Sequence, residues 1–141
     1  MRKNLKDTRT EYNLRMAFTA ESRNVQRYQY FANQAGSDCT TVQSVLLEKI
    51  QAECNINAQK QFAFMVSNGN DIHTGDVAQT REQQLEIAIK SQKHMAQDVY
   101  PGMAEEARYE GFYEVAEMFD AMSKQAALHV ETLENLFKSV K

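Results

Sequence analysis

Glu21 and His129 stand on apolar helical stripes, where an inward carboxylate and imidazole could share a metal ion. On the same stripes, Cys54, Asn57, Gln92 and Ala126 fall at the positions where a carboxylate-bridged dimetal bundle carries its ligands. Such a bundle takes one glutamate from each of two helices and a Glu-x-x-His pair from each of the other two. Hard oxygen donors bridge and neutralise the cations, and imidazole completes each coordination sphere. Cys54, Asn57 and Gln92 are weak substitutes for such donors, and Ala126 is no ligand. Two divalent ions bring four positive charges, against which these slots offer one carboxylate, Glu21. The residues therefore predict that a standard two-metal centre does not form.

An ionised carboxylate on an apolar stripe is costly unless something satisfies it. For Glu21 that partner is a metal, His129, a tyrosine hydroxyl or a proton, with a local hydrogen-bond network the commoner outcome. Cys54 has three readings: a redox thiol, a soft copper or zinc site with Met95 and His129, or a small buried hydrophobe. Met95, Met103, Met118 and Met122 read as core packing, and Glu105, Glu106 and Glu110 as a solvated helix face.

The elements that position these residues are helices. One proline and five glycines in 141 residues leave too few breakers for a sheet protein. An inward stripe steps by three and four through Leu14, Ala17, Phe18, Glu21, Val25, Tyr28, Phe31 or Ala32, and Ala35. Gly36-Ser37-Asp38 breaks this helix, and Asp38 or Thr40 can cap the next. The second stripe runs Val42, Leu46, Ile50, Cys54, Asn57 or Ala58, and Gln61, stopping at Ser67-Asn68-Gly69. A polar, irregular loop leads to a third helix starting near Thr80, with Leu85, Ala88, Ile89, Gln92, Met95, Val99, Met103 and Ala107 inward. Pro101 should kink it, and Gly111 ends it. The fourth stripe is Val115, Phe119, Met122, Ala126, His129 and Leu133.

The halves repeat. An offset of 71 sends Leu14 to Leu85 and Glu21 to Gln92, whereas 72 sends Leu47 to Phe119, Cys54 to Ala126 and Asn57 to His129. The extra residue implies a bulge near Pro101. The expectation is an all-α fold: one domain over residues 1–141, a ferritin-like antiparallel four-helix bundle of two hairpins, about 9–66 and 80–139, joined by a crossover loop.

Composition narrows the partners. The net charge is −3 with scattered basic residues, which gives no nucleic-acid footprint, and no apolar run approaches the ~20 residues that span a bilayer. The residues after Met1 carry charge without an apolar segment behind them, so a cytoplasmic location is expected. Cys39 and Cys54 form no CxxC pair, which excludes a rubredoxin-type iron site within these residues.

The chain resembles the erythrin domain of the rubrerythrins over Leu5 to Lys138. The carrying residues are Asn13-Leu14, Ala17-Phe18-x-x-Glu21-Ser22, Arg27-Tyr28, Phe31-Ala32, Tyr100-Pro101-Gly102-Met103-Ala104 and Glu110-Gly111-Phe112-x-Glu114-Val115-Ala116-Glu117. The resemblance implies a non-haem diiron peroxidase that reduces hydrogen peroxide under oxidative stress and assembles as dimers or larger oligomers. It implies ligands at Glu21 and His129. It asks for Glu-x-x-His at Cys54 and Asn57, Glu-x-x-Glu at Gln92 and Met95, and glutamate at Ala126. Two of the seven positions are kept. The tyrosines that support the ligand carboxylates are matched by Tyr28 and Tyr100. Glu53 and His94 lie one residue from lost positions, and one step turns a side chain about 100° around a helix.

These readings combine into a degenerate diiron site and a non-catalytic binding, structural or regulatory paralogue, with no cofactor expected. Its partner is a second copy or an active rubrerythrin-like relative. The alternatives are a peroxide-reducing oxidoreductase holding iron or another divalent metal, or a small-molecule binder between Glu21, Gln92, Asn57 and His129.

Overall fold

A computed structural model describes residues 4–37, 41–68 and 70–140. The chain is all-α: α1 (Arg9–Ser37), α2 (Thr41–Ser67), α3 (Arg81–His94), a π-helical turn (Met95–Val99), α4 (Tyr100–Glu110) and α5 (Tyr113–Val140). It divides after Val77 into two compact units, and each is a helical hairpin. The expected caps at Asp38 and Thr40 lie outside the described residues.

In the first hairpin, Thr8 opens α1 by accepting the Glu11 N–H on its hydroxyl, 3.1 Å. α1 and α2 pack through Phe18 against Phe62, with ring centroids 5.6 Å apart, and around buried Ala32, Ala58 and Met65. Ala32 rather than Phe31 points inward, and Ala58 rather than Asn57. The expected stripe through Val42, Leu46 and Ile50 is exposed; Ser44, Leu47 and Gln51 are the less exposed residues there. Apolar residues are spread around α2, so the sequence marks no single face of it. The loop after α2 is more ordered than its composition suggests. Buried Asp71 accepts the His73 and Thr74 N–H groups at 2.9 and 2.8 Å, and Asn70 bridges Val77. Gly75 sits there at φ +77°, where a side chain would be strained.

In the second hairpin, Thr80 caps α3 in a reciprocal box with Gln83. α3, the π turn and α4 follow without interruption, and Gly111, at φ +86°, ends α4 with the Phe112 N–H on Ala107 O at 2.8 Å. The bulge implied by the two offsets is the π turn, in which the Tyr100 N–H reaches back to Met95 O. In that register Ala96 O looks to residue 101, and Pro101 has no N–H. Ser123 on α5 donates its hydroxyl to Ala96 O instead, at 2.7 Å. Beyond the π turn Ala104 is buried in place of the expected Met103, and Ala107 is buried as expected. On α5 the same comparison favours Ala116 over Val115. Ser123→Ala is expected to leave that carbonyl without a donor and to lower stability by about 1–2 kcal/mol in urea unfolding.

Candidate functional site

The first hairpin brings together Glu21, Cys54 and Asn57. Glu21 is half-buried on α1, and both of its carboxylate oxygens are engaged. Oε2 accepts Nδ2 of Asn57 from α2 at 2.9 Å, and Oε1 accepts Nδ2 of Asn24, one turn along α1, at 3.2 Å. Asn57 is exposed, at the edge of the hairpin. Asn24 was not legible as a site residue from metal-ligand spacing, although its place three residues after Glu21 marks a helical side-chain pair. The satisfaction expected for Glu21 thus comes from two amides. Tyr28 is half-buried on the same helix.

Cys54 is a free, half-buried thiol one turn before Asn57. Burial, and then the negative charges of Glu21 and Glu53, push its pKa above the ordinary 9.0. This is the reverse of the electropositive setting that activates a thiolate. In a Cys39→Ser background, Cys54 is expected to alkylate several-fold more slowly than free cysteine at pH 8, and Glu21→Gln to speed it, as followed by mass spectrometry. Because the folded thiol holds its proton more tightly, its contribution to stability is present below pH 9.0 and is lost as pH rises further.

The second hairpin holds the remaining positions. Gln92 on α3 and Met95, which opens the π turn, are half-buried. Ala126 on α5 is buried at 3 % exposure, and His129, one turn further, is exposed rather than inward. Val130 and Leu133 are the less exposed residues beyond Ala126. Tyr100 stacks on Phe119 with ring centroids 6.2 Å apart, a packing role on α5. The near-miss residues do not stand in for lost ligands. Glu53 is exposed, and His94 is exposed with its Nδ1 3.2 Å from the Asp98 carboxylate. Among the described residues, no group of three or more His, Cys, Asp or Glu side chains could hold a metal ion. No helix among them is long and apolar enough to cross a membrane.

Comparison with known proteins agrees with the all-α fold. The rubrerythrin family profile matches residues 12–137. A rubrerythrin from Porphyromonas gingivalis is 32 % identical over 134 residues, covering 92 % of this chain and 66 % of that protein. A rubrerythrin from Nitratidesulfovibrio vulgaris is 28 % identical over 145 residues, covering 99 % of this chain and 74 % of the relative. Rubrerythrin-1 from Clostridium acetobutylicum is also 28 % identical, with 98 % and 74 % covered. The chain therefore spans about two-thirds to three-quarters of the length of these relatives. With its family profile matched over nearly all of α1 to α5, the chain belongs to the rubrerythrin family, in the ferritin-like class of four-helix bundles.

Proposed function

We propose that this rubrerythrin relative has left diiron peroxide chemistry and serves as a non-catalytic binding, structural or regulatory paralogue in the cytoplasm. It pairs with a second copy of itself or with a metal-bearing relative. One observation carries the reading: Glu21, the one carboxylate among the seven positions that resemble ligand sites, has both oxygens taken by amide N–H donors. A pair of iron ions does not fit this donor set. Four positive charges would meet a single carboxylate whose two oxygens already accept amide N–H groups. Met95 and Ala126 offer no hard donor.

The test is peroxide consumption by purified protein after anaerobic incubation with ferrous iron, with a chemical reductant supplied. Turnover no faster than the same iron without protein is expected. Sustained multiple turnover that disappears in Glu21→Ala would overturn the proposal. Light scattering checks the pairing, for which a mass twice the 16.2 kDa of one chain is expected.

A further inference from the structure

We infer that Asn57, with Asn24, replaces the cation electrostatically and mechanically, so that an amide–carboxylate clamp ties α1 to α2 without metal. A ligand site must solve two problems at once: it neutralises a partly buried carboxylate, and it cross-links helices. In the first hairpin both are solved by N–H groups. Asn57 Nδ2 lies 2.9 Å from Glu21 Oε2 and spans 36 residues of sequence, while Asn24 Nδ2 holds the other oxygen from the same helix. A carboxylate accepts such bonds and an amide nitrogen donates them, so the arrangement is complementary as it stands. An imidazole at position 57, as the family pattern asks, carries one proton in its neutral form and presents a lone pair to a metal. Asparagine presents two protons and, through its nitrogen, no lone pair. The substitution therefore changes position 57 from a co-ligand beside Glu21 into its hydrogen-bond donor. Cys54, the neighbouring slot, removes the second acid that would repel Glu21 when no metal is present.

This inference deepens the non-catalytic reading but is tested separately. Asn57→Asp sets a second carboxylate against Glu21 and restores an acceptor where the donor stood. That variant is expected to melt below the wild type in chelator and to regain the difference when Co²⁺ or Zn²⁺ is added; the wild type should melt identically with chelator or either ion. A wild-type melting point that rises by several degrees with equimolar Co²⁺, and no longer does so in Glu21→Ala, would overturn the clamp. A double-mutant cycle supplies the second readout. Glu21→Ala and Asn57→Ala should each lower the folding constant about three- to tenfold, and the double variant should fall no further than the more damaging single one. Effects that multiply would equally overturn it. If peroxide turnover were found while melting stayed independent of cations, the functional proposal would fall and the clamp would stand.

Discussion

Ala126→Glu, which supplies one carboxylate of the family pattern, is expected to destabilise the protein by about 2–4 kcal/mol rather than to create a metal site. Ala126 is 3 % exposed on α5, so a longer side chain must displace its neighbours and an ionised group must leave water. None of the neighbouring slot residues supplies a cation for it: Gln92 and Met95 are uncharged, and His129 is exposed. Urea unfolding at neutral pH measures the loss. The same variant should recover part of it as pH falls through the range where the new carboxyl binds a proton, because the neutral acid is cheaper to bury. Ala126→Gln separates the two costs. It has nearly the same volume without the charge, and should lose roughly half as much.

Supplying all five missing positions together should behave differently. A chain carrying Cys54→Glu, Asn57→His, Gln92→Glu, Met95→Glu and Ala126→Glu gains four carboxylates and an imidazole, and with Glu21 and His129 then carries every residue of the family pattern. Free of metal it is expected to be less stable than the wild type, since ionised groups then replace buried Ala126 and half-buried Cys54, Gln92 and Met95 within their own hairpins. Ferrous iron should restore cooperative melting, and chelator should abolish it, because the binding free energy becomes folding free energy. The wild type, by contrast, should be indifferent to both. If the fivefold variant stayed unresponsive to iron, a shortage of oxygen donors would not be the reason this chain differs from the family pattern.

Much of the scaffold was legible because its signals are local. The helix start near Thr80 and the stop at Gly111 each act within a turn of backbone and sit where the sequence places them, and the structure adds the box between Thr80 and Gln83. The π turn was legible too, through the change of offset between the two repeats rather than from any residue in it. The inward faces were harder to read. Val42, Leu46 and Ile50 fit a helical stripe, but α2 is apolar on several sides, and periodicity cannot choose among faces that are equally greasy. Past the π turn Ala104 rather than Met103 is buried, while Ala107 keeps its expected inward place. At the site, the partner of Glu21 was not readable. Asn57 looked like a failed ligand, and only its 2.9 Å approach to Oε2 shows it to be a donor. Asn24 carried no metal-ligand signal, since its contribution depends on the rotamer that Glu21 adopts.

Iron content separates a metal-free bundle from a diiron protein. Protein produced in iron-rich medium and purified without chelator, then analysed for metal per chain, is expected to carry far less than one iron and to show no absorption from an oxo-bridged pair. Two irons per chain, retained through gel filtration and lost in Glu21→Ala, would contradict the account.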